Sequence, residues 1–410
     1  MLKIKNPLAY LLRMLTLSSA LVLSACGGGG GGGGGFSAGT GTTAANSSGT
    51  LRVSMTDAPA CGFDNVFVTV EKVRVHGDTG VDAGGSGWVD IVVDPARRID
   101  LLSLTNGVLT TLGQTPLAAG TYQQIRLVLA ANGAGKVANS VVPTGGVEQP
   151  LDTPSAVQSG IKIIRPFTVA ADTLTDLILD FDACKSIVTR GNGTYGLKPV
   201  VTALPSAVSG SVTGVLASAP GARVYAERNG TVVKASVADA NGNFTLSPIE
   251  QSSSVGTVDV VIVPTSTNAR GTGIIRDVPV TAGGSTALAT AGAPITLPSS
   301  AFRKVSGAVS PASAQATIRA LQLSGARTFE IAATASNLDT GAYGLFDAQP
   351  ALPAAAPMVG TYQTTLPIPL TADTAAAGKY SIQATSDAGA VSTRQVDITA
   401  SDLVDQNFQF

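Results

Sequence analysis

The chain has 410 residues, a formal net charge of −1 and 13% charged side chains, against about 25% in typical soluble domains. That balance excludes an electrostatic footprint for nucleic acid, and a single histidine, His76, excludes a histidine zinc cluster. The length allows two or three domains after a leader.

The first element is that leader. Lys3, Lys5 and Arg13 precede an apolar segment from Met14 to Leu23, and the small residues Ser24 and Ala25 follow. A basic start, a short apolar stretch and a small-residue cleavage point make a secretory signal. The apolar run of about 10 residues is well short of the roughly 20 that span a bilayer. Leu23-Ser24-Ala25-Cys26 resembles the lipobox of bacterial lipoproteins. The resemblance implies cleavage before Cys26, acylation of its thiol with diacylglycerol and then of the new amino end, and attachment to a membrane. Gly27, in place of an aspartate, implies an outer-membrane destination. Stable attachment takes more than one acyl chain, and the family carries three.

Gly27 to Gly35 is unbroken glycine, and the stretch to Gly49 adds only Ser, Thr, Ala, Asn and one Phe. It cannot bury enough apolar surface to fold. As a flexible coil of about 23 residues it reaches roughly 25–30 Å, enough to hold a folded body clear of headgroups. We divide the chain into a signal peptide (1–25), a linker (26–48) and three modules (49–205, 207–300 and 302–410).

In the first module, Leu51–Met55 alternates as a strand and Thr56–Ala60 turns the chain. Val66, Val68 and Val70, then Val73 and Val75, form a long strand whose alternation breaks at Glu71-Lys72, the mark of a bulge. Trp88–Val93 and Tyr122–Leu129 read as strands. Ile99–Leu104 is apolar and ends in the turn Asn106-Gly107. Ile161–Val169 and Leu174–Phe181 read as a strand pair joined near 170–172, and Leu197–Val201 closes the unit. Short strands with turn signals at close spacing predict tandem antiparallel β-sandwiches, an all-β chain.

Several stretches together resemble the bacterial family called domain of unknown function 4382. They are Gly49-Thr50-Leu51 through Thr56-Asp57-Ala58-Pro59, Ile99-Asp100-Leu101-Leu102, Leu117 through Leu127, Gln158-Ser159-Gly160-Ile161-Lys162, Asp180-Phe181-Asp182-Ala183 and Tyr195-Gly196-Leu197-Lys198-Pro199-Val200. The family is typical of exported lipoproteins and carries no assigned activity, so the resemblance names the module without naming its work.

Beyond residue 207 the chain repeats itself. Val208-Ser209-Gly210-Ser211-Val212 returns as Val305-Ser306-Gly307-Ala308-Val309. Asn241-Gly242-Asn243-Phe244 is echoed by Thr340-Gly341-Ala342-Tyr343, and Arg276–Ala282 by Arg394–Ala400. Three echoes in one order predict a repeat of about 100 residues, the size of one sandwich. With Asp239-Ala240-Asn241-Gly242-Asn243-Phe244 the first copy resembles carboxypeptidase regulatory-like modules, which implies a seven-stranded transthyretin-like sandwich. Residues 289–301 read as the linker between copies, and the second copy carries a Pro/Ala-rich insert near 349–357.

Few residues invite chemistry. Gly191-Asn192-Gly193-Thr194-Tyr195-Gly196 fits Gly-x-Gly-x-x-Gly, but a strand and not a helix follows, so it reads as a hairpin turn. His76 lacks a nucleophile elbow and reads as solvated or capping. Cys61 and Cys184 remain once Cys26 is acylated; an even pair in an oxidising compartment predicts one disulfide. It would close a loop of about 120 residues, worth roughly 4–5 kcal/mol in the chain-entropy account. Asp57, Asp180 and Asp182 flank the two cysteines, and two residues apart on a strand share a face. Bridged cysteines would gather three carboxylates, an oxygen set suited to calcium; the competing reading has these aspartates accepting backbone amides in turns. The expectation is a non-enzymatic envelope lipoprotein for display, spacing or ligand binding, held to the membrane by its lipid. A glycan- or peptide-binding first module, meeting an envelope polymer or protein, is the alternative, and an enzyme ranks last.

Overall fold

Alternation of β-branched and polar residues, punctuated by glycine, pleats almost the whole chain into strands. The computed structural model describes residues 47–58, 62–133, 137–252, 254–345 and 351–410. The leader, Cys26, the linker up to residue 46 and Cys61 lie outside the described residues. No helix among the described residues is long and apolar enough to cross a membrane.

The first module contains β1 (Ser48–Ala58), β2 (Phe63–His76), β3 (Val89–Asp100), β4 (Thr110–Ala118), β5 (Gly120–Leu129), β6 (Ser140–Pro143), β7 (Gln149–Asp152), β8 (Ile161–Val169), β9 (Leu174–Asp182), β10 (Ile187–Thr189), β11 (Tyr195–Leu197) and β12 (Val201–Pro205). Two short helical turns, α1 (Pro154–Gln158) and α2 (Ala183–Ser186), interrupt them. One sheet runs β12-β9-β1-β4; the other runs β10-β11-β7-β6-β2-β5-β8, with β3 also paired to β2. Leu51, Val53 and Met55 from one sheet meet Val68, Val75 and Leu127 from the other in a single core. The expected bulge in β2 falls between Val70 and Lys72.

Two features depart from the sequence expectation. The β8 and β9 segments do not pair: the chain crosses from one sheet to the other between them. Strand β9 pairs instead with β1, in parallel, from Thr50 opposite Leu174 to Ala58 opposite Asp182. A parallel pair needs a long crossover, and here β2 through β8 supply it, a relation that local periodicity cannot reveal.

The second module holds β13 (Ser209–Val215), β14 (Arg223–Arg228), β15 (Thr231–Val237), β16 (Asn243–Glu250), β17 (Val258–Val263), β18 (Gly273–Val278) and β19 (Ser285–Ala287). The third holds β20 (Phe302–Arg303), β21 (Val305–Ser310), β22 (Thr317–Ser324), β23 (Arg327–Ala335), β24 (Ala342–Leu345), β25 (Leu352–Pro353), β26 (Met358–Thr361), β27 (Thr371–Ala372), β28 (Lys379–Thr385), β29 (Val391–Asp397) and β30 (Phe408–Gln409). The repeat is visible in the topology. Sheets β16-β13-β19 and β15-β14-β17-β18 in the second module correspond to β24-β21-β30 and β23-β22-β28-β29 in the third. Strand senses match: β13–β16 and β21–β24 are antiparallel, β13–β19 and β21–β30 parallel.

The modules are not beads on a thread. Strand β26 of the third module pairs in parallel with β18 of the second, and β27 follows it, so the segment just after the Pro/Ala-rich stretch extends the second module's sheet. Ile368, between β26 and β27, is buried in the second module's core. Residues 289–301 do not swing free as a linker either: Ile295 and Leu297 are buried in that same core.

The repeated glycines have a common steric cause. Gly242 has φ +82 and Gly341 φ +69, and a Cβ on either would lie 2.1 Å from a carbonyl oxygen, of Leu216 or Val309 respectively. We predict that Gly242→Ala and Gly341→Ala each cost about 2–3 kcal/mol in chemical denaturation. Gly389→Ala, at φ +85 with open space around it, costs about 1 kcal/mol. Equal small losses at all three positions would contradict the shared turn.

Candidate functional site

The parallel register of β1 and β9 determines where the three aspartates go. Directly opposed residues of a parallel pair point to one side. Asp57 is opposite Phe181 and follows Leu51, Val53 and Met55 on the core face; Asp180 and Asp182 leave from the other face. Asp57 is completely buried. Its Oδ1 accepts from the Ala183 amide at 3.1 Å, and its buried Oδ2 has no partner among the described residues. Asp182 caps α2, its Oδ1 accepting from the Lys185 amide at 3.0 Å. Two of the three therefore serve backbone amides.

Asp180 faces the second module. The ammonium of Lys234, on β15, donates to its Oδ1 at 2.7 Å, with the lysine side chain 1% exposed and the aspartate 15%. Lys234 also lies 3.5 Å from the Asp57 carbonyl. The place expected for calcium is thus served by ammonium groups. Among the described residues no group of three or more His, Cys, Asp or Glu side chains is arranged to hold a metal ion. Asp57, Asp180 and Asp182 gather at one end of the sheet but leave it on opposite faces, and those of their oxygens that have partners among the described residues accept from amides and lysines.

From Asp182 charges alternate into the third module. Lys185 Nζ is 3.4 Å from Asp182 and 3.8 Å from Glu330 on β23, and Glu330 Oε2 accepts from Arg319 Nε at 2.6 Å. Glu227 on β14 is fully buried; its Oε2 accepts from the Glu330 amide at 3.0 Å, and its Oε1 has no partner among the described residues. Further bonds tie the junction. Asn106, held at φ 58, accepts from Ser236 Oγ at 2.7 Å and the Thr245 amide at 3.1 Å. Asp339 accepts from the Gly191 amide at 2.7 Å, and Arg165 and Lys198 pair with Glu250 and Asp387.

Lys234, Lys185, Glu227 and Glu330 escaped the sequence reading. The signal was present: Lys234 is the one charge in Thr231-Val232-Val233-Lys234-Ala235-Ser236-Val237, yet nothing local gives its partner. His76 caps the loop it enters, its Nδ1 accepting from the Asp78 amide at 2.9 Å while its ring lies 5.1 Å from Trp88. Residues 190–194 turn between the antiparallel strands β10 and β11, the hairpin expected in place of a dinucleotide loop. Phe244, Tyr343 and Tyr380 are buried and offer no stacking platform. Cys184 lies in α2, while its expected partner Cys61 is outside the described residues. Beside the ionic junction a cleft of about 450 Å³ opens between the first and second modules, lined by β8, β12 and β15.

The class defined so far is an all-β chain of sandwich modules joined through a buried ionic junction. Residues 48–199 match the family model described as Domain of unknown function (DUF4382). No curated protein matches the chain. Among solved structures, the chain is similar to one titled "Ca2+-stabilized adhesin helps an Antarctic bacterium reach out and bind ice", at 11% identity over 88% of this chain and 75% of that one, with a TM-score of 0.15. It is also similar to the T6 backbone pilin of serotype M6 Streptococcus pyogenes, at 11% identity over 86% and 80%, with a TM-score of 0.15. Those scores are too low to define a shared fold.

Burial raises the carboxyls of Asp57 and Glu227 well above the usual range, with Asp182 and Asp180 adding to the effect at Asp57. Burial also raises Asp180, against the pull of Lys234. An acid whose pKa rises on folding stabilises the fold below its unfolded value, about 4, and that contribution is lost as pH rises through the folded pKa. We therefore predict that the melting temperature falls between pH 5 and pH 8. Asp57→Asn, which keeps an acceptor for Ala183, gains about 1–3 kcal/mol at pH 8 and little at pH 5. A stability that climbs with pH, or an Asn variant weaker at pH 8, would contradict this.

Proposed function

We propose that this chain is a non-enzymatic lipoprotein of the cell envelope, anchored in the outer membrane, which presents a docked set of β-sandwiches at the end of a glycine tether. The observation that carries the reading is the order of parts: basic apolar leader, Leu23-Ser24-Ala25-Cys26, glycine tract, then β modules. Acyl chains on Cys26 supply the membrane partner. The ionic junction and the strands lent by the third module to the second favour a stiff body for display and ligand binding over a flexible spacer. Recognition by the first module of an envelope peptide or glycan is the finer form of the proposal.

A Cys61–Cys184 disulfide belongs to the same proposal. The in-register pair Ala58–Asp182 leaves Cys61 three residues and Cys184 two residues beyond adjacent strand ends. The second module's seven strands, with Gly242 at its turn, support the carboxypeptidase regulatory-like assignment.

Two measurements test the proposal. Cells given radiolabelled palmitate should label the wild-type chain and not Cys26→Ser, and the variant should leave the membrane fraction; equal labelling of both would refute the anchor. Thiol titration of the denatured, unreduced Cys26→Ser chain should find no free sulfhydryl, and two after reduction. Two before reduction would remove the bridge.

A further inference from the structure

The cleft between the first two modules has walls of an unusual kind. Strand β8 is outermost in the eight-stranded sheet, β12 in the four-stranded sheet and β15 in the second module's sheet. Three sheet edges thus run past one opening. An outermost strand presents backbone N–H and C=O groups with no ladder partner. The usual protection is incomplete here: Pro166 interrupts β8, but only after Ile161–Arg165 has passed the cleft.

Apolar side chains line these edges while still in contact with water. Ile164 is 50% exposed and Val233 39%. Val233 is the extra residue of a bulge, since Ala226 pairs with Lys234 and Glu227 with Val232. A bulge re-aims a side chain, and this one is turned to the opening.

The charges are unbalanced. Lys162, Arg165 and Arg228 line the cleft with Asp180 and Glu250. Asp180 is held by Lys234, and Glu250 by Arg165. Lys162 donates to the Thr79 carbonyl at 3.0 Å and Arg228 to the Glu250 carbonyl, while the buried Arg228 Nε has no partner among the described residues. Among the described residues neither has a carboxylate bridge of its own. A ligand with a carboxylate would supply one.

We propose that this cleft binds an extended peptide that adds as a strand to an open edge, with apolar side chains at alternate positions and an acidic group facing Lys162 and Arg228. Strand addition draws affinity from main-chain hydrogen bonds and specificity from pockets for alternate side chains. A cavity of about 450 Å³ suits three or four residues, and an interface between modules is a common place for such sites. This rests on the ligand-binding part of the proposed function and is independent of the anchor.

The test presents the detergent-solubilised full chain with a random hexapeptide library. Enriched sequences should alternate apolar residues and carry one Asp or Glu. Val233→Glu and Lys162→Glu, both at solvent-exposed positions, should each weaken the best peptide by about tenfold or more. N-methylation of its alternate amides should do the same, and Val391→Glu, exposed in the third module, should change nothing. Failure to enrich any peptide would overturn the proposal. So would enriched peptides indifferent to both substitutions or to N-methylation, or enrichment of glycans alone from a parallel glycan array. Loss of palmitate labelling with peptide binding intact would refute the anchor and leave the cleft standing.

Discussion

The parallel ladder between Thr50–Ala58 and Leu174–Asp182 is the constraint on which most of the structure depends. It joins two stretches more than a hundred residues apart in the chain and closes the first module's core around Leu51, Val53, Met55, Leu177, Leu179 and Phe181. Its register also sends Asp57 inward while Asp180 and Asp182 point toward the other modules. A shift of one residue would exchange those faces, burying two carboxylates in the core and withdrawing Asp180 from Lys234.

The junction that the ladder supports is ionic, and its energetics are two-sided. A buried ion pair gives up hydration that its mutual attraction only partly returns, so replacing both partners with apolar residues is often harmless. Removing one partner strands the other and costs several kcal/mol. Lys234–Asp180 is of that kind, as its 1% and 15% exposures show. It sits where the second module meets the first: the lone lysine of β15 meets the carboxylate of β9. The chain from Asp182 through Lys185, Glu330 and Arg319 makes the corresponding contact with the third module.

Much of this is legible in the sequence alone. The valine alternation gives β2, and the Glu71-Lys72 interruption gives its bulge, because both arise from neighbouring residues alone. The repeated Val-Ser-Gly and Gly242/Gly341 turns are legible for the same reason: a carbonyl 2.1 Å from a hypothetical Cβ leaves room for glycine only. Asp57, Asp180 and Asp182 could be singled out, but not their partners. Lys234 is 54 residues from Asp180 in sequence, and no periodicity encodes that meeting. The loan of β26 to the second module is invisible for a related reason, since a short strand paired across modules leaves no local signature.

The measurement that bears most directly on this account is scanning calorimetry of the full chain, wild type beside Lys234→Met and the double variant Lys234→Met/Asp180→Leu. Multidomain chains need not unfold in one step, so coupling has to show itself. The account predicts that the first and second modules unfold together in the wild type, that Lys234→Met splits off an earlier transition, and that the double variant restores much of the coupling. Two independent transitions in the wild type, unmoved by either change, would contradict it.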